Sequence, residues 1–319
     1  MDIILASAYI IGGFYILIKG ADLMVEGACA LAVKLSISEI VIGLVLVSFG
    51  TSAPELIVNV FSAIQGKTDF SFGNIIGSDI MNILLILGVA GLIRPLKTRK
   101  NTVWREIPFA VMAVLILTLL CNDRWLGNGD NILTRADGVT MLFFFLIFLS
   151  YSFSIAPIDL SDKPDIKHLP DRKIGLFLIL GIIGLFAGGK LIINGAVDVA
   201  VMFGMQDRLI GLTILAIGTS LPELVTSAVA AKRGKIDIAI GNVIGSNIFN
   251  IFFIIAITSI IRPLPFSSVL NVDLGVLLLA SVILFFTMFT GKRRTLDRWE
   301  ALFFLVLYAG YTTYLIIRN

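Results

Sequence analysis

Two stretches of this chain carry residues that could do ion chemistry, and they read almost identically. Gly50-Thr51-Ser52-Ala53-Pro54-Glu55-Leu56 sets a proline beside a carboxylate in an apolar run, and Gly218-Thr219-Ser220-Leu221-Pro222-Glu223-Leu224 repeats it. Each is followed at the same distance by a second matched stretch, Gly73-Asn74-Ile75-Ile76-Gly77-Ser78-Asp79-Ile80-Met81-Asn82 and Gly241-Asn242-Val243-Ile244-Gly245-Ser246-Asn247-Ile248-Phe249-Asn250. Proline has no N–H, so the carbonyl of Gly50 loses its helical partner, and the Gly-Thr-Ser run makes a local break easy. In hydrocarbon each freed carbonyl costs several kcal/mol unless something satisfies it. The negative end of the half-helix dipole also faces the gap, so the carbonyls from Ser48 to Thr51, and from Ala216 to Thr219, are candidate cation ligands.

Glu55 and Glu223 add formal negative charge beside the breaks, where a lone carboxylate costs about 3 kcal/mol on insertion scales. Two of them brought together repel unless a cation or protons intervene. The side chains on offer, Thr51, Thr219, Ser52, Ser220, Asn82, Asn250 and the two glutamates, all present oxygen; the only histidine, His168, lies in a polar connection. Oxygen-only ligation suits calcium, magnesium or sodium and argues against zinc or copper. Ser78 and Asn82 share a helical face, as do Ser246 and Asn250, and the pairs Gly73/Gly77 and Gly241/Gly245 have the spacing that lets membrane helices approach closely. Asp79, whose counterpart is Asn247, sits about 100° around its helix from Ser78 and is expected to face another helix, water or the ion path.

The elements that position these residues are membrane helices. With 57% hydrophobic and 15% charged residues and a mean hydropathy of +0.98, the composition is that of an integral membrane protein. Ten apolar spans are expected, near 3–33, 41–65, 72–93, 103–121, 138–155, 173–203, 209–231, 238–261, 270–290 and 299–317. The first is expected to stay, because no basic region precedes it and no small-residue cleavage site follows it. The first and sixth exceed a perpendicular crossing, which suggests tilt or an interfacial end, and Asp22 and Glu26 on the first read as interfacially solvated. Cys29 and Cys121 read as packing residues rather than a disulfide.

Residues 39–96 align onto 207–264 without a gap at an offset of 168, with 26 of the 58 pairs identical. This is an internal duplication of five spans each. Five is odd, so the second copy enters from the opposite side. The expected fold is an all-α membrane protein with ten transmembrane helices in two inverted five-helix repeats, 1–158 and 173–319, joined by a cytoplasmic connection at 159–172. The matched motif regions lie at 43–96 and 211–264. Lys and Arg concentrate after the odd-numbered spans, placing those connections in the cytoplasm and both termini outside. Those basic residues read as topology and headgroup contacts, with no nucleic-acid or protein partner implied.

At these residues the chain resembles the sodium/calcium exchanger family of the calcium/cation antiporter superfamily, of the prokaryotic type, whose two repeats carry G-T-S-x-P-E and G-S-x-x-x-N/D. The resemblance implies that Glu55 and Glu223 coordinate calcium and sodium at the centre, with carbonyl oxygens from Thr51 and Thr219. It implies flanking sodium sites from Ser52, Ser220, Ser78, Ser246 and the carbonyls of Ser48 and Ala216, with Asn82 and Asn250 beside the central pair. Some potassium-dependent relatives have Asp where this chain has Asn250, so no potassium requirement is expected. The function these readings imply is sodium/calcium antiport across the cytoplasmic membrane, electrogenic and by alternating access, with the two ions as cargo and no cofactor. A proton/calcium antiporter is the alternative, a cation channel fits the paired repeats less well, and an intramembrane enzyme finds no nucleophile or hydrolase motif.

Overall fold

The structure, a computed structural model, describes residues 3–66, 69–127, 130–154, 169–202 and 216–318. The first half runs α1 (Ile3–Leu35), α2 (Glu39–Thr51), α3 (Ala53–Ile64), α4 (Ser71–Ile93), α5 (Thr102–Leu120) and α6 (Arg135–Ser154). The second runs α7 (Asp171–Met202), α8 (Ala216–Thr219), α9 (Leu221–Lys232), α10 (Ile236–Ile261), α11 (Ser268–Thr287) and α12 (Arg298–Arg318). Among the described residues eight helices are long and apolar enough to cross a membrane, and the bent pair α2/α3 makes nine. The remaining expected span, 209–231, falls partly outside the described residues, as does the connection at 159–172.

Both proline breaks form where the motifs place them. α2 and α3 meet at 48°, and the hinge residues share one non-helical geometry, φ −82° and ψ 7° at Ser52 against φ −90° and ψ 5° at Ser220. Pro54 and Pro222 each fall in the first turn of the helix that resumes, where a missing N–H costs nothing. The outer ends of α3 and α9 also match: Gly66 and Gly234 close them at φ +78° and +76°. Each glycine lies under an arginine of the other half, Arg262 over Gly66 and Arg94 over Gly234.

Small residues decide which helices meet. α1 and α7 cross over Gly13, Gly20 and Gly27 on one side and Gly181, Gly188 and Gly195 on the other; a Cβ at Gly188 would stand 2.5 Å from the Leu17 amide nitrogen. At about 1.5 Å per residue these helices of 33 and 32 residues reach roughly 50 Å, well beyond the hydrocarbon. α2 and α10 approach over Gly43, Gly241 and Gly245, with a Cβ at Gly245 only 2.3 Å from the Leu44 carbonyl oxygen. The equivalent approach expected at Gly73 and Gly77 meets no described residue within 4 Å; Gly211, the counterpart of Gly43, lies outside the described residues.

The halves are also tied by two short antiparallel pairs. β1 (Leu96–Lys97) and β2 (Ile132–Leu133) from the first half meet β4 (Thr295–Leu296) and β3 (Leu264–Pro265) from the second, with Leu96 opposite Leu296 and Leu133 opposite Leu264. The ties sit at opposite ends of α5 and α11, which pack against each other. A reciprocal amide pair, Asn122 with Asn271 at 2.9 and 2.8 Å, adds to the second tie.

Asp22 and Glu26 are not simply solvated. Arg233, at the end of α9, binds Asp22 Oδ1 at 2.8 Å and Glu26 Oε2 at 3.5 Å, because α1 runs alongside α9 and brings the acids to it. Their counterparts Lys190 and Asn194 are exposed. Cys29 and Cys121 are free and buried, as packing residues are.

Candidate functional site

The two breaks converge, and they do so crosswise. Ser52 Oγ donates to Glu223 Oε1 at 2.9 Å, and Ser220 Oγ donates to Glu55 Oε1 at 3.4 Å, so each hinge supplies the hydroxyl that holds the other hinge's carboxylate. Glu55 and Glu223 are each 1% exposed. Ser220 Oγ is also 3.1 Å from Ser78 Oγ, which joins the second stretch of the first copy to the hinge of the second.

Thr51 Oγ1 donates to Asn242 Oδ1 at 3.0 Å, while the Ser48 carbonyl accepts the Ser52 N–H at 2.9 Å. Asn242 Nδ2 reaches Ser227 Oγ at 2.9 Å and the Glu223 carbonyl at 3.4 Å, and in the first copy Asn59 Nδ2 reaches the Glu55 carbonyl at 2.8 Å. Amides thus brace the backbone on which each glutamate stands. Ala216 and Thr219 form the short α8 that leads into the second hinge, the place Ser48 and Thr51 hold at the first.

Asn82 and Asn250 face each other through a second network. Asn82 Nδ2 donates to Asn247 Oδ1 at 2.9 Å, Asn247 Nδ2 to the Asp79 carbonyl at 3.2 Å, and Asn250 Nδ2 to Asp79 Oδ1 at 2.8 Å. Both asparagines open a π-helical turn, Asn82–Ile86 and Asn250–Ile255, and a third, Gly43–Val47, precedes Ser48. Such turns gather at functional positions because they widen the ladder locally.

The chemistry of the site shows in what lacks a partner. Glu55 Oε2, Glu223 Oε2, Asp79 Oδ2, Asn82 Oδ1, Asn250 Oδ1 and Ser246 Oγ are shielded from solvent and accept no hydrogen bond. Buried polar atoms are nearly always paired, and no lysine, arginine or histidine pairs with these acids among the described residues. The bare oxygens of Glu55, Glu223, Asn82 and Asn250 belong to groups with no proton to donate there, and hard cations can satisfy them. Among the described residues no three His, Cys, Asp or Glu side chains cluster as a metal-ligating group, and Asp79 Oδ1 is engaged by Asn250.

The expected ligands therefore come together: Glu55, Glu223, Ser52, Ser220, Ser78 and Thr51 in one network, Asn82 and Asn250 in its neighbour, with Ser246 buried on the same helix as Asn250. Sequence reasoning missed Asn242 and Asn247 as working parts. The signal was present, since each lies in a doubled stretch, but only the contact between copies shows what they hold.

Fold and site together define a helical membrane protein with a buried, oxygen-lined acidic centre where its two halves meet. The family model described as sodium/calcium exchanger protein matches residues 5–154 and 173–317, and the chain belongs to that family, which comprises transporters rather than enzymes. The protein CaxA of Alkalimonas amylolytica is 37% identical over 321 residues, covering 97% of this chain and 98% of that one. The sodium/calcium exchanger MaX1 of Methanosarcina acetivorans is 32% identical over 334 residues, covering 94% and 95%. Among solved structures, the sodium-calcium exchanger NCX_Mj superposes with a TM-score of 0.84 at 32% identity, covering 98% of this chain and 100% of that one. The chain is accordingly a multi-pass membrane antiporter of the cation/calcium class, with transported ions as substrates.

Proposed function

We propose that this protein exchanges sodium for calcium across the cytoplasmic membrane, extruding calcium as sodium enters, through one oxygen site that alternates between the two faces. The observation that carries the reading is the crosswise Ser–Glu exchange around two buried carboxylates with bare second oxygens. Left without cations, two such charges make an occluded site too costly to carry through the membrane. One calcium or several sodium ions remove that cost, which couples the two fluxes and makes the exchange electrogenic when more than two sodium ions replace one calcium.

In this reading Glu55 and Glu223 hold calcium and sodium together with the Thr51 and Thr219 carbonyls. Ser52, Ser220, Ser78, Ser246 and the carbonyls of Ser48 and Ala216 hold flanking sodium ions, and Asn82 and Asn250 stand beside the central pair. Two inverted five-helix repeats, 1–158 and 173–319, bring the ligands together at mid-membrane with both termini outside. The hydroxyls donated to both glutamates support sodium as the driving ion, since a site with hydroxyl oxygens around each acid offers a desolvated monovalent cation more than a proton needs. The test is calcium uptake into proteoliposomes under imposed sodium, potassium and proton gradients. Uptake driven by sodium alone is expected; uptake driven by a pH gradient and indifferent to sodium would replace this reading with proton coupling.

A further inference from the structure

Asp79 sits in the position that the second copy fills with Asn247, and the network gives the difference a purpose. Asp79 is fully buried, and its Oδ1 accepts from Asn250 Nδ2 at 2.8 Å. Asn247, at the matching place in the other copy, accepts from Asn82 Nδ2 at 2.9 Å. The residue three before each site asparagine therefore holds the asparagine of the opposite copy, by the same crosswise logic that joins each hinge serine to the opposite glutamate.

What is being held is a direction. A terminal amide has one donating and one accepting end of nearly equal size, and a rotation of 180° exchanges them. An acceptor placed against it decides which end turns away. With Nδ2 of Asn250 taken by Asp79, and Nδ2 of Asn82 taken by Asn247, the oxygens Asn250 Oδ1 and Asn82 Oδ1 are left without any partner in the protein. Reversed, either amide would present N–H groups where a cation must be met. Asn247 donates its own Nδ2 to the Asp79 carbonyl at 3.2 Å, so its oxygen faces Asn82, and Asp79 links Asn247 to Asn250 through its carbonyl and its carboxylate.

We infer that Asp79 and Asn247 are positioning residues that fix the amide oxygens of Asn250 and Asn82 toward the transported cation. The inference rests on the exchanger reading of the site. Asp79 acts as an acceptor in this role, so its shape and acceptor atom matter rather than a direct bond to the ion.

The experiment compares Asp79→Leu, which keeps the volume and removes the acceptor, with Asp79→Asn, which keeps an acceptor oxygen. Each is measured in full-length protein for half-saturating calcium, maximal sodium-driven uptake, and the calcium-induced rise in melting temperature in detergent. Asp79→Leu is expected to raise half-saturating calcium at least tenfold with maximal uptake within about twofold of the parent, and to shrink the calcium-induced rise. Asp79→Asn should restore both. In an Asn250→Ala background Asp79→Leu should add nothing, because the amide it orients is gone. Should Asp79→Leu fail to fold, Asn247→Leu removes the matching acceptor for Asn82 and carries the same expectation. Unchanged half-saturation in the leucine variants, equal damage from Asp79→Asn and Asp79→Leu, or full additivity with Asn250→Ala would each overturn the inference. Loss of sodium-driven uptake by the parent protein would sink the exchanger reading instead, and the calcium-induced melting shift would still judge the positioning role.

Discussion

The closest approach around the site is between α2 and α10, and it gives a quantitative handle on how tightly the ligands are held. A Cβ at Gly245 would lie 2.3 Å from the Leu44 carbonyl oxygen, 2.7 Å from its Cα and 2.8 Å from its carbonyl carbon. All three are backbone atoms, so no side chain can swing aside. Restoring ordinary contact near 3.4 Å requires α2 and α10 to part by roughly 1 Å, and such overpacking costs about 1–3 kcal/mol. Gly245 immediately precedes Ser246, and Leu44 lies one turn before Ser48, whose hydroxyl binds the Leu44 carbonyl at 2.6 Å. The parting therefore separates ligands from the two copies.

Gly245→Ala is accordingly expected to weaken calcium binding by about ten- to a hundredfold, at 1.4 kcal/mol per factor of ten. The assay is calcium titration of the melting temperature in detergent alongside sodium-driven uptake in proteoliposomes. Gly275→Ala is the control, since Gly275 is exposed on α11 and a Cβ there meets nothing within 4 Å. If Gly245→Ala folded with the parent's calcium half-saturation, the helix approach would not be what sets the site, and the reasoning from contact to affinity would fail.

Other outcomes follow from the same geometry. Glu55→Gln and Glu223→Gln should each abolish sodium-dependent calcium uptake, and normal exchange by either variant removes that residue from the site. Ser52→Ala deletes a 2.9 Å bond to Glu223 and Ser220→Ala a 3.4 Å bond to Glu55; at about 1.5 kcal/mol for a well-made bond to a charged group, Ser52→Ala should raise half-saturating sodium about tenfold and Ser220→Ala by less. Chelating calcium in sodium-free buffer should lower the melting temperature, because the buried oxygens of Glu55, Glu223, Asn82, Asn250 and Ser246 then stand unpaired; an unchanged melting temperature counts against cation binding there. Asp22→Asn should leave stability within about 1 kcal/mol, as partly exposed ion pairs contribute little, and should alter maximal uptake more than half-saturating calcium if α1 moves during transport.

Much of this site is readable in one dimension because the chain states it twice. Pro54 and Pro222 announce the hinges, Glu55 and Glu223 the charge, and the Ser and Asn spacings the facing helices, since each depends on local backbone chemistry alone. The crosswise exchange is not readable, because Ser52 and Glu223 meet only through the packing of both halves. The π-helical turns at Asn82 and Asn250 leave no compositional trace. The ties at Leu96 and Leu133 are too short for strand periodicity to register. Asp22 and Glu26 keep the partial exposure expected of them, but their pairing with Arg233 is not legible, because Arg233 arrives from another segment.

The two strand pairs have a mechanical consequence. They staple one half of the molecule to the other at both ends of α5 and α11, so the halves cannot tilt past one another as separate bodies without unpicking backbone bonds at each face. Among the described residues neither strand pair involves the glycine-lined couple α1 and α7. Motion that spares those backbone bonds is left to that couple rather than to the stapled frame.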